Sequence, residues 1–194
     1  MISARAEGIR ASLQNQRGMR IVMGIDPGLA NTGFGVVQVA GPKTSALDAG
    51  VIEVPAGPTP ERRLEQIHGS IGELLDWHEP EAMALEDLYF GKNVRSAMGV
   101  GQARGVVMLA AAERGIACFG YTPQAVKMSV CGSGSAAKEQ VKQMVGTLLG
   151  LPSAPPSDHA ADALAVAICH ASQSPPMIKI SRTKAGANGA AALR

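Results

Sequence analysis

The run Arg20-Ile21-Val22-Met23-Gly24-Ile25-Asp26-Pro27-Gly28-Leu29-Ala30-Asn31-Thr32-Gly33-Phe34-Gly35-Val36-Val37-Gln38-Val39 sets the architecture of this chain. Two apolar, β-branched segments, 20–26 and 34–39, flank a Gly/Asn/Thr turn, which predicts a strand pair. Leu47 to Val54 reads as a third strand, giving an antiparallel meander. The first strand closes on Asp26, and carboxyl ends of strands are where open α/β sheets place their sites. An Asp before Pro-Gly is also an ordinary turn signature, and taken alone that is the commoner meaning.

Working outward, Thr59-Pro60 supplies a helix N-cap and first helical position. Leu64, Ile67, Ile71, Leu74, Leu75 and His78 follow at helical spacing. Ala82 to Leu85 is a short buried strand running into Glu86-Asp87. A long helix is predicted from Val94 to Glu113, stopping at Gly115, then a fifth strand over Ile116 to Gly120. Thr122-Pro123 caps a short helix, the Gly132-Ser133-Gly134-Ser135 loop leads into another, and Pro155 to Ser157 introduces the last. The order βββαβαβααα predicts an α/β fold: an antiparallel meander followed by parallel strands in one mixed sheet, with helices on both faces. Residues 19–173 form the expected domain, with 1–18 a disordered extension and 174–194 a disordered basic tail.

Hydrophobic residues make up 46% of the 194 and charged residues 18%, a globular balance. No apolar stretch approaches the roughly 18 residues of a membrane span. Residues 1–18 carry charges and no secretory h-region. Three scattered cysteines, Cys118, Cys131 and Cys169, form no CxxC pair, which suits a reducing cytoplasm. The net charge of +2 hides a division. Residues 43–90 hold three Lys/Arg against ten Asp/Glu, whereas residues 91–142 hold seven against two. One basic side is consistent with a polyanionic partner, and ordinary surface charge is the competing account.

Three separated acids carry the chemistry. Asp26 and Glu86 end strands, and Asp162 lies on the last helix with Asp158 and His159 one turn away. Asp158 also suits a helix N-cap, and His159 a surface histidine. Asp162 is flanked by Ala161, Ala163 and Leu164, an environment in which a carboxylate needs compensation. Carboxylates brought together by folding are what an oxygen-coordinated Mg²⁺ site for phosphoryl transfer requires. Tyr89 and Phe90, beside Glu86, are two of six aromatics, suited either to the core or to stacking on an unpaired base. Ala97, Gly101 and Gly105 form a small-residue stripe facing either the sheet or a second subunit.

The segments GIDPGLANTGFGVV (24–37), ALEDLYFGKN (84–93), GQARGVV (101–107), QAVK (124–127), GSAAKEQV (134–141) and DHAADALAVAI (158–168) closely resemble the RuvC family of bacterial Holliday junction resolvases. The resemblance runs in order from about residue 19 to 172. It implies an RNase H-like fold, a cytoplasmic homodimer, and symmetric nicking of two strands of a four-way DNA junction, leaving 5′-phosphates, in recombination and repair. It implies two Mg²⁺ ions per site, replaceable by Mn²⁺, held by Asp26, Glu86, His159 and Asp162. Asp26 would bridge the ions, about 4 Å apart. His159 is a departure, since many members carry Asp there; Asp158 ranks second for that role. Tyr89 matches a base-stacking aromatic, and Lys92, Arg104, Lys127 and Lys138 are the expected DNA contacts. The RuvA and RuvB branch-migration proteins are the implied partners.

Competing readings are an RNA-processing nuclease of the YqgF type, an actin-like sugar or acetate kinase, and a silent junction-binding module. The kinase needs a second domain that this chain is too short to hold. The intact acids argue against the silent module, and Tyr89 with the basic half favours DNA over RNA.

Overall fold

A computed structural model describes residues 19–87, 94–155 and 157–173. Among the described residues ten elements follow one another: β1 (Met19–Asp26), β2 (Asn31–Ala40), β3 (Lys43–Glu53), α1 (Pro60–His78), β4 (Ala82–Glu86), α2 (Val94–Glu113), β5 (Ala117–Tyr121), α3 (Pro123–Cys131), α4 (Lys138–Leu149) and α5 (Asp158–Gln173). This is the predicted order. The strands form one sheet, β3-β2-β1-β4-β5. β1 pairs antiparallel with β2, and β2 with β3, while β1–β4 and β4–β5 are parallel.

Strand alternation divides the core into two layers. Met23, Ile25, Val36, Met83 and Leu85 face α1 and α2, with Ile67, Ile71, Leu75, Val107 and Ala110 packed on them. Val22, Val37 and Ala84 face the other way, toward α3, α4 and α5. Helices therefore cover both faces. Arg114 ties α1 to α2 through two 2.8 Å bonds to Asp76, and His78 joins the end of α1 to Asp48 on β3 at 3.1 Å.

Several boundaries differ from the sequence expectation. β2 begins at Asn31, because Asn31, Thr32 and Gly33 pair with Glu53, Ile52 and Val51 instead of forming a free turn. β3 begins at Lys43, after Gly41 turns the chain at φ +58. Thr59 precedes α1 with extended backbone but makes no capping hydrogen bond, its hydroxyl bonding Glu61 at 2.6 Å. Thr122 does cap α3, accepting from the Ala125 N–H at 3.2 Å. At α5 the Ser157 hydroxyl accepts from the Ala160 N–H at 3.0 Å, so Ser157 fills the capping role weighed for Asp158. Among the described residues no helix is long and apolar enough to cross a membrane. The expectations for 1–18 and 174–194 lie outside the described residues.

Candidate active site

The site is assembled by parity and by glycine. Ile25 and Leu85 are paired neighbours on parallel strands and both face α1 and α2. The next residue on each strand, Asp26 and Glu86, must turn to the opposite face, where α5 lies. α5 can reach them because three sheet residues beneath it, Gly24, Gly33 and Gly35, have no side chain. A Cβ at Gly24 would collide with the Ala163 carbonyl, and one at Gly33 with the His159 carbonyl. One at Gly35 would stand 2.8 Å from Leu164. Gly33 is the residue paired directly with Asp26 across the β1–β2 ladder. Its missing side chain is therefore what lets the first turn of α5 settle beside that carboxylate.

His159 Nδ1 lies 2.8 Å from Asp26 Oδ2. When Asp26 is ionised Nδ1 carries the proton and donates it, which leaves the Nε2 lone pair free. Asp162, one turn on, has 29% of its side chain exposed, so it is partly buried and not enclosed among its alanine neighbours as its sequence context predicts. Lys138 Nζ stands 3.3 Å from Asp162 and 3.4 Å from Asp158, and Lys142 Nζ 3.2 Å from Asp158. Burial opposes the Lys138 charge, but Asp162 and Asp158 outweigh it and hold the ammonium above its ordinary pKa. Asp158, bonded by Lys142 and facing Lys138, is held below the usual carboxylate range.

Glu86 is the most perturbed acid: burial, then the charges of Asp26 and Asp162, push its carboxyl up to about 7. Burial, with Asp26 and Asp158 beyond it, also raises Asp162 against the pull of Lys138. Burial and the neighbouring carboxylates thus disfavour the charged forms of Glu86 and Asp162. That donor set fits a hard divalent cation, which prefers carboxylate oxygen. In the present rotamers the side chains rest in pairs, Asp26 with His159 and Asp162 with Lys138. Among the described residues no three His, Cys, Asp or Glu side chains form a ready cage. Beside Glu86 a cavity of about 180 Å³ opens between α3, α4 and α5, its polar walls made by Glu86, Asp162, Lys127 and Lys138.

Of the sequence-predicted residues, Asp26, Glu86, His159, Asp162, Lys127 and Lys138 gather here. Arg104 turns elsewhere, donating to the Glu86 carbonyl oxygen at 2.6 Å and to Asp87 Oδ1 at 2.8 Å. Tyr89 and Lys92 lie outside the described residues. Sequence reasoning missed the pairing of Lys142 with Asp158. The signal was present, since Lys138/Lys142 and Asp158/Asp162 are both four-residue pairs that present one face of a helix. It also missed Thr32, which is fully buried and donates to the Gly28 carbonyl at 2.7 Å, closing the loop after Asp26.

The family model "Crossover junction endodeoxyribonuclease RuvC" matches residues 22–170. The RuvC protein of Moorella thermoacetica is 51% identical over 155 residues, which cover 80% of this chain and 93% of its own. That of Pelotomaculum thermopropionicum is 49% identical over 151 residues, 78% of this chain and 92% of the relative. Among solved structures, Thermus thermophilus RuvC in complex with Holliday junction substrate superposes with a TM-score of 0.75 at 40% identity, over 78% of this chain and 93% of that one. The yeast mitochondrial resolvase Ydc2, 13% identical with a TM-score of 0.58, shares the fold. With a resolvase architecture, strand-end acids under a glycine-seated helix and a family match along most of its length, this chain belongs to the RuvC family of crossover junction endodeoxyribonucleases.

Proposed function

We propose that Asp26, Glu86, Asp162 and His159 are the cation-binding and catalytic residues with which this endodeoxyribonuclease nicks four-way DNA junctions. Membership of the family brings a divalent metal cofactor with it; Mg²⁺ is the proposed ion, two per site, with Mn²⁺ able to substitute. The observation that carries the assignment is the shared field of three carboxyls that drives Glu86 to about 7. Added positive charge favours the ionised form of a carboxyl raised in this way. When bound, divalent ions would supply Lewis acidity toward the scissile phosphate and acidify an attacking water.

The chain's own groups do the rest. Asp26 holds His159 in one tautomer through Nδ1 and leaves Nε2 to bind or to accept a proton. Lys138, now held by Asp162 and Asp158, is a counter-charge that a phosphate or cation would release. Lys127 lines the same cavity and is placed for a phosphate contact. Tyr89 as a stacking residue and Lys92 as a further DNA contact complete the reading. The Thermus relative solved with Holliday junction substrate supports the substrate choice. RuvA and RuvB are the proposed partners, and the cytoplasm the proposed location.

A homodimer is proposed from α2. Met98, Met108 and Leu109 are 64%, 41% and 53% exposed, and a Cβ on Gly105 would meet nothing within 4 Å. This face is turned away from the sheet, and covering it with a second copy would bury it.

Asp26→Asn keeps the shape of the side chain and removes the charge. It is expected to cut nicking of a synthetic junction with Mg²⁺ by at least about a thousandfold, as loss of a charge-stabilising group does, with junction affinity unchanged. Linear duplex and RNA controls separate this activity from that of an RNA-processing nuclease. Nicking within about tenfold of wild type, roughly 1.4 kcal/mol of barrier, would sink the assignment.

A further inference from the structure

We infer that Arg104 is a positioning residue that fixes the end of β4, and with it Glu86, instead of a DNA contact. β4 stops at Glu86, paired with Tyr121 of β5. Beyond the last pair a strand is free to fray and the Glu86 peptide to rotate. Arg104 prevents this from the layer opposite α5, its Nη1 donating to the Glu86 carbonyl oxygen at 2.6 Å and its Nη2 to Asp87 Oδ1 at 2.8 Å. Asp87 is itself anchored. Its N–H donates to the Tyr121 carbonyl at 2.8 Å, extending the ladder one residue. Its carboxylate lies over Gly120, where any Cβ would collide with it.

Arg104 projects from α2 between Ala103 and Val107, both fully buried, and its side chain is 20% exposed. A guanidinium suits this post because its planar fork serves a carbonyl and a carboxylate at once, which an ammonium at the end of a flexible stem does not. Each of its outer nitrogens thereby has a partner within the protein. Displacing a catalytic group by about 1 Å can cost a hundredfold in rate.

The inference rests on Glu86 belonging to the active site, so Glu86→Gln is run alongside. Single-turnover nicking, junction affinity in chelator at several salt concentrations, and melting temperature are measured for Arg104→Ala, Arg104→Lys, Asp87→Ala and the Arg104→Ala/Asp87→Ala pair. Arg104→Ala is expected to slow nicking about 10- to 100-fold, with affinity and its salt dependence unchanged. Arg104→Lys should recover part of the rate, and the double variant should be less than additive because both act through one brace. A weaker affinity with a salt slope lower by about one would make Arg104 a phosphate contact and overturn the inference. Unchanged nicking would overturn it too, as would rate, affinity and melting temperature falling together with no recovery by lysine. If Glu86→Gln nicks normally, the site assignment itself fails; if it is inactive while Arg104→Ala is normal, only this inference does.

Discussion

Asp158 and His159 adjoin in sequence but occupy different surroundings. Asp158 has 55% of its side chain exposed and is neutralised by two lysines, whereas His159 bonds the central acid. The geometry thus favours the histidine as the fourth site residue. His159→Ala is expected to slow nicking at least about tenfold more than Asp158→Ala, the low end of losses for a catalytic side chain, and His159→Asp to keep activity. Single-turnover rates for the three variants decide, and an inactive Asp158→Ala beside an active His159→Ala would move the assignment by one residue. Glu86 makes a second prediction, in metal-free protein. Its folded pKa, about 7, lies above the ordinary 4.5. Folding therefore favours its protonated form, and that stability is complete below 4.5 and lost as pH rises through 7. In chelator the melting temperature should fall across this window, and Glu86→Gln should flatten the fall. A Glu86→Gln protein with the wild-type pH profile would show that Glu86 does not carry the effect.

At the scale of elements, α5 is the member on which the site depends, and its seat is made of absences. Ala160, Ala163 and Ala167 are fully buried on it, and Gly24, Gly33 and Gly35 lie beneath. Small residues on both surfaces bring helix and sheet close enough for His159 to reach Asp26. Gly33→Ala forces a methyl onto the His159 carbonyl, so α5 must lift at its first turn. We expect a loss of about 2–3 kcal/mol, the usual cost of overpacking, read by denaturant unfolding. Nicking should fall further than junction affinity. A variant of wild-type stability and rate would mean that the helix end yields freely.

The whole molecule divides by charge and by layer. The acids of the site are met by Lys127, Lys138 and Lys142 from α3 and α4, the basic segment of the sequence. The exposed apolar face of α2 lies in the other layer. Leu109→Glu is expected to convert a dimer to a monomer in sedimentation at micromolar protein while leaving the helix content intact, because a charge there cannot be buried unpaired. A monomeric wild type, or a variant that still dimerises, would remove α2 from the interface.

Sequence alone determined the order of the ten described elements, because hydrophobic period, Gly stops and Thr-Pro starts are signals within a few residues of the chain. It also singled out Asp26, Glu86 and Asp162, because an acid closing an apolar strand or opening an apolar helix is visible locally. Strand ends were less legible: Asn31 to Gly33 look like a turn and become ladder because β3 lies beside them to pair. What only the tertiary structure decided is which charges meet. Arg104 looks like a basic residue available to DNA and is instead bonded to the end of β4, 18 residues away in sequence. His159 reaches Asp26 across 133 residues, and Asp158 is taken by Lys142 across 16. Each outcome turns on the separation of two elements, which for His159 and Asp26 is set by the glycines and alanines between α5 and the sheet.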